Sequence, residues 1–269
     1  AIAALLIVFS AAGDLFLLGL VLVFLIGAAW AGIQVIPQFI ESLKIILNIG
    51  MVREGQRIVF DGIPWNVEDL GFACRLVNPE LDDGQQVLPA RRLVGLHSRP
   101  WCENEEPFPM RRGEWVRLSD GRTGRSVQQN PGTVTLEELG GALLTYPTAT
   151  FLDLHPCNLS RQSFRVQTRF GIDYAHQAIA TTQVVDWFTE HLETHLPEVA
   201  GPETIIAVAV QFAGAGASSL DYEIEVDLKG EAAPLHERVE FALQRLLVDA
   251  CNAHDLTIPF TQITVHQAG

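Results

Sequence analysis

The first 50 residues are almost entirely apolar, whereas short alternations of apolar and polar positions fill the rest of the chain. No charged side chain occurs in the 26 residues from Leu15 to Ile40, which lie between Asp14 and Glu41. A helix of about 20 apolar residues spans the ~30 Å hydrocarbon layer of a bilayer. The pattern therefore predicts a transmembrane helix. A secretory signal peptide is the alternative, but such a peptide begins with basic residues and none precedes Lys44.

Two further signals divide the apolar segment, residues 1–50. The pair Gly13–Asp14 interrupts it and predicts a hairpin between two membrane helices. Because the chain starts inside an apolar run without Met, we expect earlier spans to precede it. Pro37 removes a backbone hydrogen bond and clashes with the preceding turn, which predicts a kink or a break. Beyond Pro37, an amphipathic helix is predicted to end at Gly50.

From Arg53 onward, short strands alternate with Gly and Asp-Gly turns, and the pattern repeats. Arg53–Gly55 has a counterpart in Arg111–Gly113, and Pro89 has one in Pro147, so the offset stays near 58 residues in both halves. A chance similarity between loops would rarely keep one offset. We therefore predict two tandem copies of a small all-β, barrel-like unit, at residues 51–106 and 107–160.

Residues 161–269 follow the order strand, helix, strand, strand, helix, strand. This order is typical of a ferredoxin-like α+β domain, in which two helices cover one face of a sheet. The predicted strands are Ser163–Phe170, Thr204–Phe212, Leu220–Leu228 and Gln262–Val265, and the predicted helices are Tyr174–Leu196 and Pro234–Asn252.

The charge balance narrows the possible partners. The chain has 32 acidic and 18 basic residues, a net charge of −14, and its arginines are scattered. Binding to nucleic acid requires a clustered basic surface, so the balance argues against nucleic acid as the main partner. The cysteines show no CxxC or metal-type spacing, and we expect isolated, mostly buried thiols in a reducing compartment. They are Cys74, Cys102, Cys157 and Cys251.

Two groups of residues offer candidate chemistry. Asp153, His155 and Cys157 superficially supply an orienting group, a base and a nucleophile, but we place them on an alternating strand of a structural repeat and interpret them as non-catalytic. His191 and His195 have a metal-ligand spacing on a helix, but the residues between them lack a zinc signature, so we expect a solvated face. The sequence therefore predicts no enzyme, no cofactor and no metal site.

Four local features follow one another in a recognisable order: a Gly/Ala-rich helix ending in Gln34, the Arg53–Gly55 opening, the Gly216–Leu220 turn and the segment Leu256–Phe260. This order resembles the small-conductance mechanosensitive channel family from about Ala4 to Val265. The resemblance implies a homo-heptamer of identical subunits in the inner (plasma) membrane, with a cytoplasmic body. It further implies a channel that is opened by tension in the lipid bilayer and that releases ions and small osmolytes during hypo-osmotic stress.

The chain departs from the family pattern in two respects. The family usually has one β unit that closes in Ile-Pro-Asn, whereas this chain has two, closing in Leu88–Ala90 and Tyr146–Thr148. The positions that resemble the family's constricting leucines fall on Gly27 and Ala31. Small residues there imply a wider bore.

Helical periodicity places five residues on one face of the membrane helix, at spacings of four, three, four and three. We predict that this face, the stripe, lines a pore and that Leu20 or Phe24 forms its apolar ring. The amide of Gln34 either faces the pore or a neighbouring subunit, or lies at the membrane interface. The stripe consists of Leu20, Phe24, Gly27, Ala31 and Gln34.

The sequence thus predicts a kinked, pore-lining membrane helix over Leu15–Ile49, followed by tandem β units and a ferredoxin-like domain. One span cannot enclose a pore, so subunits must assemble around a symmetry axis. The basic residues nearest the span, Lys44, Arg53 and Arg57, favour a cytoplasmic body. The alternative is a non-conducting, membrane-anchored scaffold whose β units bind another protein.

Overall fold

A computed structural model describes residues 15–259 of the chain. The predicted hairpin at Gly13–Asp14 and the predicted strand Gln262–Val265 lie outside the described residues. The chain divides into two compact units, one comprising residues up to Phe108 with Asn130–Gly132, the other Pro109–Gln129 with everything from Thr133 onward. The finer division of the chain at residues 50, 106 and 160 stays a prediction.

The apolar segment forms one long helix, α1 (Leu15–Ile46), of 32 residues. Pro37 lies inside α1 and does not break it. A break at this proline is therefore wrong, and a bend of the helix axis stays a prediction. The residues predicted as an amphipathic helix form the last part of α1, up to Ile46.

The predicted end of this helix at Gly50 is also wrong, because Asn48 ends the helical path first. Asn48 has a φ of 55°, in the left-handed region that commonly closes helices. The amides of Ile49 and Gly50 then both donate to the carbonyl of Lys44, at 3.0 and 3.1 Å.

The first β region is a four-stranded antiparallel sheet in the order β1-β2-β3-β4. Arg99 follows this sheet and forms an antiparallel bridge with Arg57 of the first strand. The strands are β1 (Arg57–Phe60), β2 (Ile63–Asp69), β3 (Ala73–Val77) and β4 (Gln85–Pro89), and a 3₁₀ turn, Ala90–Arg92, follows them.

The second β region is a separate five-stranded sheet in the order β8-β7-β6-β5-β9. Its strands are β5 (Trp115–Arg117), β6 (Thr123–Gln129), β7 (Thr133–Glu137), β8 (Leu143–Pro147) and β9 (Cys157–Asn158), and the short helix α2 (Thr148–Asp153) follows β8.

The two sheets share their strand order and their irregularities. The amide of Gly55 donates to the carbonyl of Val67, and the amide of Gly113 donates to the carbonyl of Ser126, both at 2.8 Å. Both glycines have a positive φ, 72° and 90°, which side chains with a Cβ rarely adopt. The pairing of β2 with β3 and that of β6 with β7 each contain a bulge at the corresponding place. Residues 111–160 are therefore neither a structureless insertion nor extra strands of the first sheet.

The C-terminal region contains a three-stranded antiparallel sheet in the order β10-β12-β11. Helices lie between β10 and β11 and after β12. Three of the four predicted strands lie in the described residues and are present, each longer than predicted, but the predicted helix Tyr174–Leu196 is partly wrong. The helices and strands of the C-terminal region are β10 (Ser163–Ile172), α3 (Gln183–His195), α4 (Pro197–Ala200), β11 (Ile205–Ala215), β12 (Leu220–Lys229) and α5 (His236–Ala253). Assignment to the ferredoxin-like class stays an interpretation.

The segment before α3 departs from a helix because a local side chain caps a tighter turn. Asp173 accepts a hydrogen bond of 2.8 Å from the amide of Ala175, and Tyr174–His176 form a 3₁₀ turn. Thr182, with φ −131° and ψ −88°, then resets the backbone before α3 starts. Local capping by Asp competes with helix formation in this way.

The core of this region lies between the sheet and the helices. Phe188 of α3 packs edge-on against Tyr222 of β12, with ring centroids 5.4 Å apart, and against Phe170 of β10, at 5.8 Å. Edge-to-face pairs of this kind are favoured by the ring quadrupoles. Alternate residues of β12 are fully buried, so the helices cover one face of the sheet.

Candidate functional site

The candidate site is the surface of α1. Within residues 15–259, one helix segment is long and apolar enough to cross a bilayer, and this segment, Gly19–Ile46, belongs to α1. None of that segment's most apolar window is buried within the chain. Leu20 and Phe24 are 62% and 74% exposed, and the other three stripe residues are exposed too. A helix this apolar and this bare needs lipid or other helices around it.

Gly27 has no packing role inside the chain. A Cβ built at this position would meet no atom within 4 Å, whereas one built at Gly32 would approach the Ile36 side chain at 3.6 Å. Small residues in membrane helices allow close approach of a second helix. Because glycine has no side chain, the surface of α1 at Gly27 leaves space for the close approach of a helix from outside the chain.

Polar groups are confined to the C-terminal part of the helix. Gln34 is exposed, and the ammonium of Lys44 pairs with the Glu41 carboxylate at 2.7 Å, one helical turn apart. An ion pair at this level reduces the cost of bringing both charges close to a bilayer. The assignment of Gln34 to a pore, to a subunit contact or to the interface stays a prediction.

The C-terminal end of α1 is tied to the first β sheet, a connection that sequence analysis did not predict. Ile45 and Leu93 are buried, and α1 contacts the 3₁₀ turn Ala90–Arg92. The hydroxyl of Ser98 accepts a hydrogen bond of 2.9 Å from the Arg53 amide and donates one of 3.2 Å to the Met51 carbonyl. These contacts hold the end of α1 and the residues after it against the first β region. No residue type in these positions has a distinctive pattern from which the connection could be inferred.

An ionic cluster behind the first strand was also missed. Glu105 binds both Arg57 and Arg99, and Arg57 lies over the Trp101 ring, 5.0 Å from its centroid. The hydrogen bond from Arg99, with a smaller contribution from the charge of Arg57, lowers the pKa of Glu105 to about 2. This cluster holds the loop after β4 against β1 and offers no group for catalysis.

The three residues that resembled a nucleophile set do not share a strand, so that expectation is wrong. Asp153 ends α2, His155 lies in a turn with a φ of 48°, and Cys157 begins β9. All three are exposed. The four cysteines are free, with Cys74 and Cys251 buried and Cys102 and Cys157 exposed, so only half of them are buried thiols.

His191 and His195 lie on α3 but not on a fully solvated face, which corrects the sequence expectation. Both are half-buried, and their ring centroids are 4.5 Å apart. Burial, and then the neighbouring His195, lower the pKa of His191. His254 stacks on Trp187 nearby at 4.2 Å. Among the described residues, no group of three or more His, Cys, Asp or Glu side chains is placed to hold a metal ion.

No protein-family model matches the chain, and no curated protein matches it significantly. Among solved structures, the chain is similar to Helicobacter pylori MscS in a closed state, with 21% identity and a TM-score of 0.47 over 60% of this chain and 60% of that one. It is also similar to Arabidopsis thaliana MSL1, with 16% identity and a TM-score of 0.40 over 57% of this chain and 54% of that one. A second structure of MSL1, the wild type, gives 11% identity and a TM-score of 0.41, over 57% and 52%. Each of these matches spans less than two thirds of the length of the solved chain.

Proposed function

We propose that the chain is a subunit of a homo-oligomeric membrane channel that opens under membrane tension. The observation that carries the proposal is α1, a helix of 32 residues whose most apolar window is not buried within the chain and which has open space around Gly27. The order of sequence features adds the resemblance to the mechanosensitive family. The proposal includes passage of ions and small osmolytes during hypo-osmotic stress.

Assembly is part of the proposal because one helix cannot enclose a water path. Identical subunits around a symmetry axis would each contribute the stripe, and the resemblance implies seven of them. Gly27 and Ala31 would let neighbouring helices approach the axis, while Leu20 or Phe24 would form an apolar constriction. A narrow apolar bore loses its water when closed. Tension favours the state that occupies the larger area in the membrane plane.

Charge near the helix end supports a cytoplasmic body. Lys44, Arg53 and Arg57 are the basic residues closest to the span, and basic residues near spans are retained inside. A cysteine introduced near the exposed Asp120 turn reports the orientation. An impermeant thiol reagent should label it only after lysis of the cells, and labelling of intact cells would reverse the assignment.

Patch-clamp recording of the opening pressure tests the function. In Ala31→Asp, repulsion between subunits should favour the wide state and lower the opening pressure relative to the parent. Ala31→Asn introduces a side chain of the same size as Asp but without its charge, and this variant should gate like the parent. Ala29→Asp puts the same charge on the opposite face of α1, where contact with lipid costs about 2.5 kcal/mol or more on insertion scales. It should reduce surface expression without lowering the opening pressure.

Three results would contradict the proposal, two for the stripe and one for the channel. If Ala31→Asp reaches the surface and opens at the parent's pressure, or if Ala29→Asp lowers the pressure equally, the stripe does not line the path. If the parent never conducts before the patch ruptures, the chain acts as a membrane-anchored scaffold instead.

A further inference from the structure

Four large apolar side chains are exposed where α1 meets the first β sheet. Leu47, Ile49 and Met51 follow the end of the helix at 58%, 67% and 65% exposure, and Phe72 at the β2–β3 turn is 83% exposed. Single exposed apolar residues are ordinary, but a group of them at one end of a body marks an interaction surface.

Hydrogen bonds place the β2–β3 turn beside the helix end. The amide of Glu54 donates to the side-chain oxygen of Asn48 at 3.1 Å, and the amide of Leu70 donates to the carboxylate of Glu54 at 2.9 Å. On its other side, the carbonyl of Phe72 accepts a hydrogen bond of 3.3 Å from Ala90, the first residue of the turn that contacts α1. Phe72 is therefore held at the same end of the sheet as the helix.

The length of α1 puts this end at the depth of lipid headgroups. The uncharged stretch Leu15–Ile40 is about 39 Å long at 1.5 Å per residue, against a hydrocarbon core of about 30 Å and about 40–45 Å with headgroups. Glu41 and Lys44 then lie in one headgroup layer, and Leu47 follows one turn later. A bilayer that surrounds α1 thus ends where the exposed apolar group begins.

The charges beside the apolar group complement an anionic membrane. Arg91 and Arg92 are exposed on the turn that contacts α1, and Arg92 also lies over the Phe60 ring at 5.8 Å. The acidic groups here are Glu41, paired with Lys44, Glu54, which accepts from Leu70, Glu68, paired with Arg75, and an exposed Asp69. Arginines next to a span are attracted to anionic phospholipid.

We propose that this surface docks on the bilayer, with the apolar side chains in the boundary between headgroups and acyl chains and the arginines on anionic phospholipid headgroups. The docking patch consists of Leu47, Ile49, Met51, Phe72, Arg91 and Arg92. The proposal rests on the membrane position of α1 and not on conduction. It makes the first sheet a second membrane contact, so that lipid charge and packing act on the sheet as well as on the helix.

The test measures lipid contact at Phe72 in the full chain reconstituted into liposomes. The fluorophore NBD is attached to Phe72→Cys in a Cys102→Ser, Cys157→Ser background, which removes the two exposed thiols. Gln85→Cys is the matched control, because Gln85 is exposed and lies at the β3–β4 turn, at the opposite end of β3 from Phe72. Quenching by nitroxide-labelled lipid is compared in phosphatidylcholine with and without phosphatidylglycerol.

We expect several-fold stronger quenching at position 72 than at position 85. Phosphatidylglycerol should increase the quenching at position 72, and Arg91→Gln with Arg92→Gln should remove that increase. Equal quenching at both positions would overturn the docking proposal, and so would self-quenching between labels at position 72 without quenching by lipid, which would show a second subunit on the patch. Loss of the protein from floated, alkali-washed liposomes would overturn the membrane position of α1 and the channel proposal together.

Discussion

The carboxylate of Glu54 accepts a hydrogen bond of 2.9 Å from the amide of Leu70, across 16 residues of chain. The amide of Glu54 in turn donates to Asn48, the residue that closes α1. Glu54 thus links the end of α1 to a turn of the first sheet, through its amide on one side and its carboxylate on the other. In a tension-gated channel, this link would transmit displacement of the helix to the body.

Glu54→Ala should loosen the β2–β3 turn, because the Leu70 amide loses its acceptor, at a cost of about 1 kcal/mol. Hydrogen exchange at Leu70 should accelerate, while Glu54→Gln keeps an oxygen acceptor and should retain most of the protection. The amide of Gly113, bonded to Ser126 in the second sheet, serves as an internal reference. Unchanged exchange at Leu70 in Glu54→Ala would show that the hydrogen bond does not hold the turn.

The Glu105 cluster should make stability depend on pH below 4.5. The pKa of Glu105 is lowered from 4.5 to about 2, chiefly by the hydrogen bond from Arg99, so the folded chain holds this proton more weakly than the unfolded chain. Its stabilising contribution is complete above pH 4.5 and is lost as the pH falls towards 2.

Thermal unfolding of the parent and of Glu105→Gln in detergent measures this effect. Glu105→Gln should unfold at a lower temperature at neutral pH, and the difference should shrink as the pH approaches 2. Glu103→Gln alters an exposed carboxylate two residues away and should change little. A difference that stays constant across this range would mean that the Glu105 charge does not contribute.

Backbone-determined features were predictable from sequence, and long-range contacts were not. Gly55 and Gly113 need a positive φ, and Pro89 and Pro147 end equivalent strands, so the repeat was visible in the sequence. The end of α1 was misplaced because Gly50 is the usual signal, whereas Asn48 adopts the left-handed conformation here.

The helical period alone identifies the residues of the stripe on α1. It does not identify what the stripe contacts. None of the most apolar window of α1 is buried within the chain, so the face that would meet an axis depends on contacts between subunits. The docking patch had no sequence signal either, because Phe72 and Met51 are separated in sequence and meet at one end of the sheet through hydrogen bonds of Glu54 and Ala90.

Gly84 is predicted to be the least replaceable residue of the β3–β4 connection. A Cβ at this position would lie 2.0 Å from the Asn78 carbonyl oxygen and 2.8 Å from that of Leu81, so the backbone would have to shift. Gly84→Ala should destabilise the first unit by about 1–3 kcal/mol, as overpacking does. In Gly71→Ala the nearest atom is the Ala73 carbonyl oxygen at 3.6 Å, and its change should stay within about 0.5 kcal/mol. Chemical denaturation of the two variants measures this difference in stability. Equal denaturation midpoints for Gly84→Ala and Gly71→Ala would contradict the steric explanation.

One of the differences between the two sheets is a buried pair of positions, and it gives a quantitative test of their equivalence. Val67 and Leu70 are buried in the first sheet, whereas the corresponding positions of the second sheet hold Ser126 and Gln129, each 1% exposed. The Ser126 hydroxyl donates to the Gln129 side-chain oxygen at 3.0 Å. The Gln129 amide then donates to the carbonyl of Met110 at 3.2 Å.

Ser126→Val should destabilise the second sheet by about 1–3 kcal/mol, because it removes the donor to a buried amide oxygen. Gln129→Leu alone should cost a similar amount, since it removes the acceptor of the Ser126 hydroxyl. The double variant recreates the apolar pair of the first sheet, Val67 with Leu70, and should cost at least about 1 kcal/mol less than the two single changes together. Denaturant unfolding of the parent, the two single variants and the double variant completes the cycle. If the costs add to within about 0.5 kcal/mol, the two positions are independent, and the second sheet does not tolerate the packing of the first.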